Sequence, residues 1–559
     1  MQKIFLAAAL LLLAAPLALA QAPAAKSESS SLSRRPQPAT VRVNAGRLRA
    51  HVKFLSSDLL EGRGTGQRGG DIAADYIATQ FALEGLKPVG DNGTYMQVVP
   101  MVGITTLPAT TVTLLPAVGT GQPLRLGPDV IAMDESQRSL SEVDAPLVFV
   151  GYGITAPEFN WDDYKGVDVR GKVLLMLVNE PPSDDPKFFA GKALTYYGRW
   201  TYKYEEAARR GAIGAILVHK TEMASYGWNV VQTSWGGERA YLANDGLPKL
   251  SLAAWISYAT VDRIAATTGA SVEKLIAQAA DRNFRPVTLP FRVQARVVSQ
   301  IRPFRSANVL AMLPGSDPKL HERAVVYTAH FDHLGIHPDE PGDNIYHGAV
   351  DNATGCAILL EIARVFAASP LRPQRSILFA AVTGEEQGLL GSEYLGRHLP
   401  LPAAQVDLDL NFDAFAPIGI PETIEVSGAE RTTFYADVKA VARQFHFTLE
   451  PDANPGAGHY YRSDHFSLAR VGIPAFSVSE GLKFAGHPLQ YGEDWQKQYT
   501  AKNYHQPSDT YHAEWDFRGI AKLADFSVAL GRRAAALPRP IGWVAGDEFA
   551  VPRKQSAAK

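Results

Sequence analysis

Hydrophobic and polar positions fall into three textures along the chain. From Val43 to Gly90, apolar residues recur at helical spacing on either side of a Gly-rich turn, EGRGTGQRGG, which predicts a helical stretch broken once. Across residues 107–292 the texture changes to short β-branched runs separated by turn signals. APLVFVGYGI and GKVLLMLV read as strands, KYEEAARRGAIGAILVHK as helix, turn and strand, and SVEKLIAQAADR as a further helix. From Val293 onward, strand, loop and helix repeat. AVVYTAH, RSILFAAVTG, VDLDLNFDAF and IPAFSVSEG are strands, and ATGCAILLEIARVFAAS and GLLGSEYLGRHL are helices. That alternation predicts an α/β fold, with a mostly parallel twisted sheet flanked by helices.

The ends differ from this body. MQKIFLAAALLLLAAPLALA has a basic start, an apolar core and a small-residue cleavage site, so residues 1–20 read as a signal peptide and the protein as exported. Residues 21–40, rich in Ala, Ser and Pro, read as a disordered linker, and residues 541–559 as a loose tail. No other segment approaches the length of a membrane span, so no stable membrane insertion is expected after cleavage. The single cysteine, Cys356, excludes a disulfide within the chain and reads as a small buried hydrophobe. Export without disulfides suits a bacterial periplasm or the medium. A net charge of -2 over 559 residues, with no basic run, excludes nucleic acid as a partner. The oligomeric state is left open.

The chemistry lies at the strand ends. His330 and Asp332 follow AVVYTA, Asp351 sits at the mouth of the next helix, Glu385 and Glu386 follow ILFAAVTG, Asp413 ends LDLNF, and His505 lies in NYHQPSDTY. In an open α/β sheet, ligands gather beyond the carboxyl ends of the strands, so these residues converge on one crevice. Several carboxylates gathered there would repel one another unless a divalent cation offset them. Imidazole and carboxylate without thiolate suit zinc, with cobalt or manganese as substitutes. The donors outnumber what one zinc needs, which points to two ions.

AHFDHLG, GAVDNATG, TGEEQGLLGS, NFDA and YRSDHFSLARVGIPA…YHQPSDT, in this order, resemble the co-catalytic zinc aminopeptidases, the family of bacterial leucyl aminopeptidases and the glutamate carboxypeptidase II group. The resemblance covers Val293 to Leu537 and, more weakly, the N-terminal helices. It implies a zinc exopeptidase fold: residues 41–106 and 293–540 form the peptidase domain, and residues 107–292 an inserted, β-rich domain of the protease-associated (PA) kind. It also implies that His330 and Asp413 hold one zinc and Glu386 and His505 the other, with Asp351 bridging. Asp332 would accept the second ring N–H of His330, Glu385 would be the general base acting on a metal-bridging water, and Tyr460 would serve the oxyanion, with Tyr461 as competitor. Phe331 would turn to the core. His333, His337, His347 and His487 match no ligand position, and His465 is either a helix cap with Asp464 or a supporting residue. Asn352 stands where some relatives carry a second aspartate.

The function implied is a secreted zinc exopeptidase acting on peptides, with an aminopeptidase leading. A carboxypeptidase or dipeptidase and a glutaminyl cyclase remain open within the fold. A non-catalytic receptor-like protein would need lost ligands, and none is lost.

Overall fold

The computed structural model describes residues 41–558 apart from 225, 268, 270 and 339–341. The export segment and linker lie outside the described residues. Every residue of the strand Ala324–His330 is buried, which an apolar run without alternation allows in a sheet covered on both faces. It pairs in parallel with Ser376–Val382 on one side and Val406–Asn411 on the other, and Val406–Asn411 pairs in parallel with Ala475–Ser477. These four strands all point their carboxyl ends the same way. Helix Gly355–Ala367 covers them on one face, packed against helices Ala45–Leu55 and Arg518–Ala535. Phe331 is 1% exposed and belongs to this core beside Tyr327 and Phe412.

The sheet then turns antiparallel. Val287–Leu313 is one strand running through the 292/293 boundary. Its C-terminal part pairs with Ser376–Val382 and with Met96–Thr106. Its N-terminal part pairs with Leu140–Phe149 and Thr111–Pro116. From Leu140–Phe149 the same sheet continues in parallel through Val173–Leu177, Gly214–His219 and Leu252–Ser257. Helices Trp200–Arg209, Tyr258–Thr267 and Val272–Ala279 accompany these strands, so segment 107–292 is more helical than its β-branched texture suggested.

The C-terminal stretch is not a loose tail. Trp543 and Phe549 are buried against Tyr460, Tyr461 and Phe466, Asp547 and Glu548 pair with Arg431, and Ala550–Ala558 is a helix. Three apolar anchors without periodicity, Ile541, Trp543 and Phe549, hold it, and Pro552 sits in the first turn, where its missing N–H costs nothing.

Candidate metal centre

His330 is the last residue of its strand. Asp351 lies in the irregular turn Ala349–Thr354 that opens helix Gly355–Ala367, Glu385 and Glu386 follow Ser376–Val382, and Asp413 follows Val406–Asn411. His505 comes three residues after helix Gln490–Lys502. The four metal-ligand positions predicted around Asp351 do converge on it. Its Oδ1 is 3.4 Å from His330 Nε2, its Oδ2 is 3.3 Å from His505 Nε2, and each histidine also faces a second carboxylate: His330 Nε2 lies 3.1 Å from Asp413 Oδ1, and His505 Nε2 lies 3.2 Å from Glu386 Oε2.

One residue that matched no ligand position in the sequence joins them. His333 is fully buried with Nδ1 2.6 Å from Glu386 Oε1, and its Nε2 has no hydrogen-bond partner. The side chains sort into two groups of potential ligand atoms, each within 4.8 Å: His330, Asp351 and Asp413, and His333, Asp351 and Glu386. His333 follows His330 by three residues. Only the turn after the strand, which takes Phe331 inward, brings it round to the same crevice.

Asp332 departs from its expected role. The ring Nδ1 of His330 meets the main-chain carbonyl of Asp332 at 3.2 Å, while the carboxylate stands 3.9 Å away. That carboxylate instead accepts from Thr65 Oγ1 at 2.8 Å and from the Glu385 backbone N–H at 3.2 Å. Asp332 therefore fixes the His330 tautomer through its carbonyl, and the turn carrying Glu385 through its carboxylate.

The tyrosines depart as well. Tyr460 donates its hydroxyl to the Ala475 carbonyl, and Tyr461 to Glu548. The phenol that feels Asp351, Glu386, Glu385 and Asp413 is Tyr504, stacked 3.8 Å from the ring of His505 and standing in the same cavity as Glu385. Its neighbour's motif made His505 visible in the sequence. Nothing marked Tyr504 itself.

Buried polar side chains hold the ligands in place. The Arg63 guanidinium, wholly enclosed, donates to the carbonyls of Phe331, His347 and Gly348, tying the His330 turn to the Asp351 turn. Asn352 donates to the carbonyls of His330 and Phe412 and accepts from the N–H of Gly355 and Ala414, a set that needs both halves of an amide. Asp509 accepts from the backbone of Val350 and Asp351, and Ser463 donates to Asp413. Gly348 adopts φ +57, and a Cβ there would meet the Asp351 carbonyl and the His333 ring. Cys356, buried, donates its thiol to the His330 carbonyl. His465 is packed on the Tyr460 ring, and burial pulls it down to about 3.

The electrostatics follow from this crowding. Burial alone would depress His330, but Asp413, Glu385 and Asp351 outweigh it and hold the ring well above its ordinary range. Burial likewise opposes His505, which Glu386 and Asp351 carry up to about 11. Burial pushes Glu385 well up against the pull of His330, with Asp413 and Glu386 adding to it. The cluster thus holds its carboxylates only against positive charge. Its donor set of imidazole nitrogens and carboxylate oxygens, the shared Asp351 and the orphaned nitrogen of His333 fit a pair of zinc-type cations.

Above the centre lies a cavity of about 550 Å³, lined both by Glu385, Glu386, Tyr504 and His505 and by residues of segment 107–292 such as Arg199, Trp200 and Trp235.

Fold and site together define the class, an α/β metallopeptidase centre. Residues 308–530 match the profile of Peptidase family M28. A "Probable zinc metalloprotease" of Pyrenophora tritici-repentis is 33% identical over 226 residues, covering 34% of this chain and 44% of its own. The aminopeptidase NAALADL1 of Mus musculus is 33% identical over 129 residues, 21% of this chain and 15% of its own. The chain thus spans less than half the length of these curated relatives. The solved aminopeptidase from Aneurinibacillus sp. strain AM-1 aligns over 90% of this chain and 96% of its own, at 20% identity and a TM-score of 0.49.

Proposed function

We propose that the protein is an exported aminopeptidase that holds two zinc ions per chain and removes N-terminal residues from peptides. One observation carries this reading: the two carboxylate oxygens of Asp351 face different histidines, His330 and His505, each paired with its own further carboxylate. When bound, zinc supplies Lewis-acid polarisation and a nucleophilic water at neutral pH. His330, Asp413 and Asp351 would hold one ion, and Asp351, Glu386, His505 and His333 the other.

Glu385 belongs to neither group yet lies beside both, so its carboxylate is left for proton transfer. It takes the proton from the attacking water as the C–O bond forms at the scissile carbonyl carbon. It returns that proton to the amide nitrogen as the C–N bond breaks, leaving a carboxylate and a free amine. Asp332 aims it by accepting its backbone N–H. Tyr504 is the phenol placed to donate to the carbonyl oxygen as charge develops there, since the hydroxyls of Tyr460 and Tyr461 are engaged elsewhere. Segment 107–292, proposed as the inserted PA-like domain, walls the cavity and keeps bulk water from the scissile bond.

The test is a peptide with each end blocked in turn, assayed together with elemental analysis. Acetylating the N-terminus should abolish turnover while amidating the C-terminus preserves it, and active protein should contain about two zinc ions per chain. The reverse end-dependence would reassign the protein as a carboxypeptidase, and active protein free of transition metal would remove the reading altogether.

A further inference from the structure

The cavity over the metal centre contains two cations without counter-charges. Arg199, at the start of helix Trp200–Arg209, and Arg462, in the YRSDH stretch, both line it. Neither guanidinium has an ion-pair or hydrogen-bond partner among the described residues, and the Arg199 Nε is shut off from solvent without an acceptor. The two feel each other: burial first, and then the charge of Arg462, pull Arg199 down to about 10. The Tyr226 phenol feels both arginines, and its hydroxyl has no partner among the described residues.

Away from the metal centre the cavity is lined by four acids, of which Glu135 makes no ion pair and is pushed up to about 7 by burial, against the pull of Lys249, so that it offers the arginines little charge. Glu205 takes Arg470 at 3.0 Å, Asp245 takes Lys249 at 2.9 Å, and Glu393 takes Arg397. Among the described residues none of these acids forms an ion pair with Arg199 or Arg462. Holding a shielded guanidinium beside a like charge is unfavourable, and an arriving anion would relieve it through charge-assisted hydrogen bonds. The pair comes from two parts of the chain, one from segment 107–292 and one from the M28 segment. The cavity they line is also lined by Glu385, Glu386 and His505.

We propose that Arg199 and Arg462, with the Tyr226 hydroxyl, form an anion seat that selects short peptides carrying a carboxylate while their scissile amide lies at the metal centre. This rests on the peptidase reading above and names its substrate class. The carboxylate has two sources, the C-terminus of a dipeptide or an acidic side chain, and guanidinium chemistry accepts either.

Three substrates separate the sources: Leu-Ala, Leu-Ala-amide and Leu-Glu-amide. With metal-loaded wild-type protein, one anionic substrate should exceed the neutral Leu-Ala-amide in kcat/KM by about tenfold or more, the worth of a charged hydrogen-bond pair. Preference for Leu-Ala assigns the C-terminal carboxylate, and preference for Leu-Glu-amide the side chain. Arg462→Gln and Arg199→Gln should collapse that ratio through KM, with kcat little changed, and Arg199→Lys should restore part of it. Because Arg462 is exposed, its substitution tests the seat even if Arg199→Gln fails to fold. Equal turnover of all three substrates by wild type would overturn the anion seat and leave the peptidase reading standing, as would variants that slow all three alike. If wild type cleaves none of them, the peptidase reading fails, and calorimetry of Leu-Glu against Leu-Gln-amide decides the seat. Tighter binding of Leu-Glu that Arg462→Gln weakens supports it, and equal binding rejects it.

Discussion

His333 Nδ1 and Glu386 Oε1 lie 2.6 Å apart, both side chains nearly closed to solvent, although one follows the first strand of the parallel set and the other follows its neighbour. The contact gives Glu386 a second imidazole besides His505. Burial would raise Glu386, and repulsion from Asp351 would too, yet His505 and His333 hold it down to about 2. His333 therefore helps keep the carboxylate ionised and ready to bind a cation.

His333→Gln should accordingly retain the fold but lose metal from the Glu386 half of the site. Apparent zinc affinity should fall about 10–100-fold, the range for a residue that supports or supplies a ligand. Dialysis against a weak chelator followed by elemental analysis measures it, and added zinc should restore activity. Wild-type retention in the variant would make His333 a packing residue only.

Adjacent glutamates offer a sharper comparison. Glu385→Gln preserves the size of the side chain and should leave metal content intact while kcat falls about 10²–10⁴-fold, the worth of general acid–base assistance. Glu386→Gln should instead lose metal from one half and become dependent on added zinc. A misfolding effect would strike both alike. The roles would have to be exchanged if Glu385→Gln lost zinc as readily as its neighbour.

Asn352 explains a departure the sequence raised without resolving. An aspartate at this position could not donate to both the His330 and Phe412 carbonyls, 3.2 and 2.9 Å from the amide nitrogen, and its charge would face them in a site with no solvent. Asn352→Asp should cost about 2–4 kcal/mol of stability, seen as a lowered Tm, and should reduce activity in a way that saturating zinc does not repair. Full rescue by zinc would show that the amide acts on local charge alone.

Much of the site was legible because parallel strands deliver their ends to one edge, so apolar runs ending in His330, Glu386 or Asp413 announce a common crevice. What stayed hidden depends on turns and packing. The turn through Phe331 puts His333 in the crevice and gives the Asp332 carbonyl the role expected of its carboxylate. Tyr504 gains its place by stacking on His505, which no motif encodes. The change of texture near residue 292 divides in the sequence what the structure makes one strand, Val287–Leu313. Trp543 and Phe549 lock the C-terminal stretch by shape, without a period to read.

The last prediction lies away from the centre. His51, on helix Ala45–Leu55, is 4% exposed, and its Nδ1 is 2.8 Å from the Tyr76 hydroxyl. Burial lowers it to about 4; Glu361 opposes, and Arg47 and Arg364 reinforce. In the unfolded chain it titrates at its ordinary value of 6.5. Between those values the unfolded state binds a proton that the folded state refuses, so stability present in full above pH 6.5 is lost as pH falls toward 4. A separation of that size corresponds to about 3 kcal/mol. His51→Gln keeps a polar partner for Tyr76 and removes the titration. Urea unfolding of both proteins at pH 7 and pH 4.5 isolates the effect, because all other groups titrate alike in the two. Wild type should be the more stable by about 1 kcal/mol at pH 7, for its packing and hydrogen bond. That advantage should vanish or reverse by pH 4.5. A difference between the two proteins that does not change with pH would mean that His51 is protonated in the folded state, or that its ring is not desolvated as the helix packing requires.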